Sequence, residues 1–588
     1  MPDLERLPLA TKVAYGAPAF AGAAMAITGA VHMPRFYSDV VLAPLGYVAL
    51  MIAVGRAFDA ITDPMMGWLS DRTHTRWGRR RPYIALGTVP AAVCFWLLLH
   101  PPRVDAGSAA ALWFGLSFLA LFLFSTIISI PRAALGAELS PHYHERSSLF
   151  GIQSIFAAAG TIAGAILPGI LQDGFGVPDE RVVFGTVATV YALAMVVLNF
   201  VMLAKVRERR EFMDRPSNPF IPGVRRALRN RPFRVLLLAG VVNAIPASIP
   251  AILIPYYTYY AIRPENPASW LAGFLLLYLG AGMLCLPLWM ALARRIGKLA
   301  TMASASAMGI SGSVLFFFVG EGDTFFASCV YGYTGIASGA FLFLIPSMGA
   351  DTIDYDELRT GRRREAQFGA FWAIIPKFVS IPGASIPIAV LSAVGYVPNE
   401  VQTPEVVFTI KFLYSLFPAS FYVVALAIVL RYPISESAHA AIRDGIDRHQ
   451  RGEMAVDPFT GERLRAPKTV TAEDEDTGWF LDYFSRGELE RVLTRGSGRL
   501  RFDVWRAFGA SVLVLVGALL MAARSVAGAD SEPGPVAVLA VVTGGGALTS
   551  ALFQAGRIGA ASRFVARPVP APVVQGHLDR LRPGRARA

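Results

Sequence analysis

The chain has 588 residues, 54% of them hydrophobic and only 16% charged, with a mean hydropathy of +0.48. A soluble protein of that length divides into several domains richer in charge, so these values exclude the soluble globular classes. The formal net charge of +12 does not point to nucleic acid, because the arginines cluster in short loops between apolar runs, where the positive-inside rule puts them.

The N-terminal "MPDLERLPLATK" carries Asp3 and Glu5 and has no small-residue cleavage site. The first apolar run therefore reads as a retained helix, not a signal peptide. Spans are expected at about 11–33, 39–66, 82–100, 108–131, 148–172 and 182–205, each long enough to cross a bilayer. A polar link, 206–232, contains "KVRERREFMDRP" and "RRALRNRPFR". Six more spans are expected at about 233–260, 269–293, 299–319, 324–348, 367–393 and 405–432, and two further ones near 505–527 and 535–556.

Basic residues sit after spans 2, 6, 8 and 10: Arg72 to Arg81, the link, Arg294, Arg295 and Lys298, then Arg359 and Arg362 to Arg364. The alternate loops hold few. Those basic loops are expected to be cytoplasmic, and with an even span count both termini are too. The expected location is the plasma (cytoplasmic) membrane. Six plus six spans around a charged link suggest two related halves, a common transporter plan. The expected division is an N-terminal six-helix half (1–205), a central loop (206–232), a C-terminal six-helix half (233–432), a cytoplasmic segment (433–504), two extra helices (505–556) and a cytoplasmic tail (557–588). Segment 433–504 includes "EDED" (Glu473 to Asp476) and the amphipathic "FSRGELERVLTR", but neither a nucleotide-binding glycine motif nor a catalytic constellation. It reads as a solvated linker. Cys94, Cys285 and Cys329 lie far apart in apolar runs, so they read as packing residues.

The chemistry concentrates at the end of span 2, in "GRAFDAITDPMMGWLSDRTHTRWGRRRP". Asp59 and Asp63 are i and i+4 and share a helix face. Arg56 lies one turn before Asp59, and Thr62 adds a hydroxyl beside Asp63. Carboxylates inside a bilayer are costly unless they face a cavity or a cation, and two together repel unless a proton or cation separates them. Such oxygens suit a hard cation, so the pair is expected to hold H⁺ or Na⁺. Asp71 with Arg72, beyond the helix end, reads as a structural loop pair. Lys377 sits about ten residues into span 11 and needs a partner there. Thr126 and Ser129 are three apart on one face of span 4. Tyr256, Tyr257, Tyr259 and Tyr260 read as an interfacial belt at the outer end of span 7, and His32 lies near another outer end.

Five stretches together resemble the glycoside–pentoside–hexuronide:cation symporters of the major facilitator superfamily, the melibiose permease group. They are "RAFDAITDP", "DRTHTRWGRRRPY", "ALGAELSPHYHERS", "GADTIDYDELRTGRRRE" with Lys377 after it, and "GYVPN". The resemblance spans about residues 10–435. It implies an all-α membrane protein of two six-helix halves, to which this chain adds two C-terminal helices. It also implies sugar uptake coupled to a cation by alternating access. By motif, Asp59 and Asp63 match the family's helix-II cation ligands, Thr126 its helix-IV threonine and Lys377 its helix-XI lysine, while Thr62 stands where the permeases have asparagine. Gly67, Asp71, Arg72, Gly78 and Arg79 fall in its cytoplasmic loop motif. The departures are Ala23 and Gln153 where the family grips sugar with aspartate and arginine, Ser129 for a cation-region aspartate, Ala133 and Leu342 for tryptophans.

The expected function is thus cation-coupled symport of a glycoside or related small solute, with no cofactor beyond the coupling ion, no enzymatic activity and a monomeric state. Because animal lysolipid transporters resemble the same family, transport of an amphipathic lipid such as a lysophospholipid is the alternative. A non-transporting scaffold or sensor is the reading from another class, which Asp59, Asp63 and Lys377 argue against. The two halves are expected to enclose a central cavity faced by those three residues.

Overall fold

The computed structural model describes residues 7–73, 75–103, 107–139, 143–208, 220–361, 365–464, 472–527 and 533–580. Asp3 and Glu5, part of the link (209–219), Arg362 to Arg364, residues 140–142 of the fifth-span motif, the side chains of Glu473 to Glu475 and the tail from 581 lie outside them.

Among the described residues, thirteen helices are long and apolar enough to cross a membrane, and a shorter apolar stretch runs over Lys377–Ala393. The first six are α1 (Leu9–Val40), α2 (Leu45–Arg72), α3 (Arg81–Leu99), α4 (Ser108–Leu139), α5 (Tyr143–Gly169) and α6 (Glu180–Lys205). A short helix in the link, α7 (Phe220–Ala227), precedes α8 (Arg231–Ile262). Then come α9 (Pro267–Leu284, running on as Leu286–Ile296), α10 (Lys298–Phe317), α11 (Thr324–Thr360), α12 (Glu365–Ala393) and α13 (Pro404–Val429). The expected spans thus recur, because run length against bilayer thickness is a local property of the chain, but their ends differ by up to twelve residues: α11 runs on to Thr360 where 348 was expected. The two six-helix sets meet along α2 with α12 and α5 with α9. Small residues allow close approach: a Cβ on Gly160 of α5 would lie 2.0 Å from the Phe20 carbonyl oxygen of α1.

The described residues of the segment read as a solvated linker are folded. Helix α14 (Glu436–Gln450) lies on the end of α11, and a hairpin of β1 (Ala455–Val456) and β2 (Arg463–Leu464) follows, pairing Ala455 with Leu464. The Tyr355 hydroxyl at the end of α11 donates to Asp457 at 2.9 Å. Next come α15 (Ala472–Leu481), α16 (Arg486–Arg495), α17 (Gly498–Ala527), α18 (Pro535–Ala566) and α19 (Ala571–Arg580). Leu481, Phe484, Leu489, Leu500, Phe564 and Leu578 bury one another in a separate core. The amphipathic pattern of "FSRGELERVLTR" finds its apolar partner here, with Ser485 and Glu488 forming a capping box on α16.

This C-terminal unit is tied to the link helix. Asp482 accepts from Arg226 and, at 2.7 Å, from Arg229, and lies 3.1 Å from His577 of α19. Burial works to raise the Asp482 carboxyl, but the His577 hydrogen bond and the charges of Arg229 and Arg226 outweigh it and hold it at about 2. Helix α18 packs along both α2 and α12, with Gly545 facing Ala57. The added hairpin therefore lies across the seam between the two six-helix sets.

Candidate functional site

Asp59 and Asp63 project from the same face of α2 toward α4 and α12. Lys377 Nζ of α12 donates to Asp59 Oδ2 at 2.9 Å and to Asp63 Oδ2 at 2.5 Å. The Thr126 hydroxyl of α4 lies 3.1 Å from Asp59 Oδ1 and 3.0 Å from Asp63 Oδ1. A hydroxyl has one proton to give, so Thr126 serves one carboxylate at a time. The second contact needs a proton on the other carboxyl group. Only the Lys377 ammonium pairs directly with the two carboxylates; the Arg56 guanidinium, one turn before Asp59, acts on Asp59 without a described ion pair. By direct pairing the cluster is therefore one positive charge short, in an apolar region where an uncompensated charge is costly. Pro64 follows directly and has no N–H for the Ala60 carbonyl.

The remaining expected residues separate. The Thr62 hydroxyl turns back to the Asp59 carbonyl at 3.2 Å, a bond within its own helix. Arg56 is half-buried, and its Nε has no hydrogen-bond partner among the described residues. Ser129 is exposed on α4. Gln153 lies on α5 with its backbone against the Gly16 position, and its Oε1 is unpartnered among the described residues. His32 is buried, 3.2 Å from the Ala165 carbonyl.

The loop after α2 is a structural knot. Asp71, expected in a loop pair with Arg72, pairs with Arg80 at 2.5 Å. The guanidinium of Arg80 reaches both Asp71 and Glu138. Arg79 meets Glu138 at 2.6 Å. The Glu208 carboxylate caps the backbone N–H groups of Arg79, Arg80 and Arg81, each at 2.7 Å. Gly78 has φ +107°, and a Cβ there would strike the Glu208 carboxylate at 2.4 Å, so only glycine fits. Gly67 has ordinary space around it.

A second buried carboxylate escaped the sequence reading. Asp39 ends α1 and accepts from Tyr260 at 2.6 Å, Tyr396 at 2.6 Å and Ser38 at 2.6 Å, with Arg35 Nε 3.2 Å away. Asn399 donates to its backbone carbonyl at 2.7 Å. Arg35 also grips Glu180 through both terminal nitrogens and lies over the Tyr259 ring. The tyrosines expected in an interfacial belt are instead interior: Tyr256 and Tyr257 are fully buried, and Tyr256 meets Ser38 at 3.0 Å. The first helix of each six-helix set, α1 and α8, ends in wide i→i+5 turns, over Phe36–Val40 and Tyr257–Ile262, and these ends meet at Asp39. The signal available was the lone aspartate of "FYSDV", together with "GYVPN".

The expected cavity lies elsewhere. A hollow of about 370 Å³ is enclosed mainly by α8, α9, α10, α11 and α13, with Ile27 and Val31 of α1. Asp59, Asp63 and Lys377 are not in its lining. Trp372, Tyr278, Tyr331, Tyr414 and Tyr422 supply rings; Asn243, Ser306, Ser313, Thr334 and Ser338 supply polar groups; among the described residues no charged side chain lines it. Helix α12 links the two places, carrying Trp372 in the cavity wall and Lys377 at the carboxylates. Among the described residues no cluster of metal-ligating type occurs.

Comparison with known proteins sharpens this picture. A family model described as MFS/sugar transport protein matches residues 14–436. The glucuronide carrier protein homolog of Escherichia coli is 27% identical over 73% of this chain and 93% of its own length. The isoprimeverose transporter of Lactiplantibacillus pentosus is 26% identical over 72% and 89%. The sodium-dependent lysophosphatidylcholine symporter 1-B of Danio rerio is 26% identical over 76% and 91%. Among solved structures, a nucleoside transporter superposes with a TM-score of 0.52 at 12% identity, covering 72% of this chain and 99% of that one. A bacterial homolog of the human lysosomal transporter Spinster reaches 0.51 at 14%, covering 73% and 98%. Those likenesses identify the fold as two six-helix halves of major facilitator type; α17 and α18 lie beyond the residues matched by the family model.

Proposed function

The chain belongs to the MFS/sugar transport protein family, and from that premise we propose that it is a secondary transporter coupling a neutral or amphipathic organic solute to H⁺ or Na⁺ by alternating access. One observation carries the reading: an ammonium from the C-terminal half, Lys377, is paired with Asp59 and Asp63 of the N-terminal half. By direct pairing the cluster lacks one positive charge, and a monovalent cation supplies it. An entering cation competes with Lys377 for the carboxylates, which loosens the tie between the halves. The Asp39 knot ties the same halves at the end away from the basic loops and has to open when that end admits solute. With the basic loops cytoplasmic, that end faces outward.

The cavity chemistry supports an uncharged substrate surface. Tyrosine and tryptophan rings are platforms for a sugar face, and five hydroxyl or amide groups can bond its hydroxyls. A sugar acid would meet no cation there. A lysolipid is the second reading, favoured by the aliphatic share of the wall, including Leu236, Ile254, Leu275, Leu279 and Ile345. The test uses purified protein and proteoliposomes. Glycosides and lysolipids are screened for thermal stabilisation with and without Na⁺, since a ligand that binds the folded state raises its melting temperature. Uptake of the stabilising solute is then measured under Na⁺ or H⁺ gradients. Asp63→Asn should bind the solute yet lose gradient-driven accumulation; accumulation at the parental level would defeat the coupling assignment.

A further inference from the structure

We propose that an arginine-lined hollow between α16 and α17 binds the phosphate headgroup of an anionic membrane lipid. The turn at Gly496, φ +79°, folds α16 back on α17. Arg491 and Arg495, i and i+4 on α16, then face Arg499, Asp503 and Arg506, which share one face of α17. Together they border a hollow of about 340 Å³. Its two carboxylates are already engaged. Asp503 pairs with Arg491 at 3.2 Å, and Glu488 pairs with the buried Arg557 at 2.5 Å. Arg495, Arg499 and Arg506 have no carboxylate partner among the described residues, so three guanidinium groups converge with their charge unmet. Guanidinium groups bind phosphate oxygens in a bidentate fork.

The depth selects a lipid as the source of the phosphate. Arg506 is the last charged residue before the apolar run of α17, whose Leu513, Leu519 and Leu520 are exposed on the outside of the molecule. Phe502, exposed, lines the hollow, and the exposed Trp505 stands beside Arg506 in sequence. Interfacial aromatics mark the headgroup level of a bilayer, and basic pockets between helices at that level recognise anionic headgroups. The lipid would pack its chains along α17, the helix that braces α18 across the seam between the halves.

The test uses the full chain in nanodiscs of phosphatidylcholine with and without phosphatidylglycerol, with binding of fluorescent phosphatidylglycerol as the readout. Replacing all three free arginines, Arg495→Gln with Arg499→Gln and Arg506→Gln, should weaken binding roughly a hundredfold, at about tenfold or less per arginine near the surface. Arg501→Gln is the charge control, because Arg501 is exposed on the same helix but does not border the hollow; it should change binding less than twofold. If the triple variant does not fold, the three single changes are read instead, each expected to weaken binding several-fold. Equal weakening by Arg501→Gln and by the single changes within the hollow would reduce the effect to general surface charge and overturn the site. Inorganic phosphate at millimolar concentration should not displace the lipid; full displacement would assign the hollow to a soluble phosphate compound and overturn the lipid assignment.

Discussion

Two buried carboxylate clusters join the halves of this molecule, and they are built on opposite principles. At Asp39 the negative charge meets Arg35, and neutral hydroxyls from Ser38, Tyr260 and Tyr396 saturate its oxygens. At Asp59 and Asp63 two charges share one ammonium and one hydroxyl. A saturated acceptor has nothing to exchange and serves as a clasp. An undersupplied one attracts a further cation. Both use groups from the two halves, so both have to respond when the halves move.

The largest effect expected from breaking this contrast is at Lys377. Lys377→Ala removes the built-in cation and should bring gradient-driven accumulation to background. The carboxylates then need a replacement, so Na⁺ against choline should raise the melting temperature of the variant more than that of the parent protein. An equal Na⁺ response in the two proteins would show that ammonium and cation do not compete. The clasp should behave differently. Asp39→Asn keeps the shape but loses the charge that three hydroxyls and Arg35 address, costing about 3 kcal/mol of stability, given the strength of hydrogen bonds to charged groups. Cysteine at Ser38 should then react faster with a membrane-impermeant thiol reagent, whatever the Na⁺ concentration. A change that depended on Na⁺ would merge the two clusters into one device.

Asp482, outside the membrane, sharpens the comparison with the smallest effect. Its carboxyl is held at about 2, against 3.8 for an ordinary aspartate. The folded-state value is depressed, so its stabilisation is present above about pH 4 and is lost as pH falls toward 2. That contribution is about 2 kcal/mol. The melting difference between the parent and Asp482→Asn should therefore shrink as pH falls from about 4 toward 2. A difference that persisted undiminished at pH 3 would contradict the ion-paired assignment.

Particular residues mark where sequence reasoning stopped. The Asp59 and Asp63 pair was legible because helical spacing alone puts i and i+4 on one face. Its partner Lys377 was visible as an unpaired intramembrane charge, but the pairing spans 314 residues in sequence and depends on how α2 meets α12. Asp39 was overlooked because it stands at a span end, where a charge normally faces water. Its burial arises from two helix ends meeting. The tyrosines of α8 were assigned to a belt by the same local logic, which fails where the helix end is covered by the opposite half.

What the sequence by itself determined is whatever depends on one stretch of chain against a fixed environment. That includes the run of apolar helices, thirteen of them of bilayer length among the described residues, the basic loops between them, and a carboxylate face on the second helix. The tertiary structure decided the rest: that Lys377 is the carboxylates' partner, that the hollow lies mainly among helices of the C-terminal half, that the described residues of 433–504 fold, and that α18 bridges α2 and α12. Each is a long-range contact whose energy exists only once distant segments are packed together, so no local pattern encodes it.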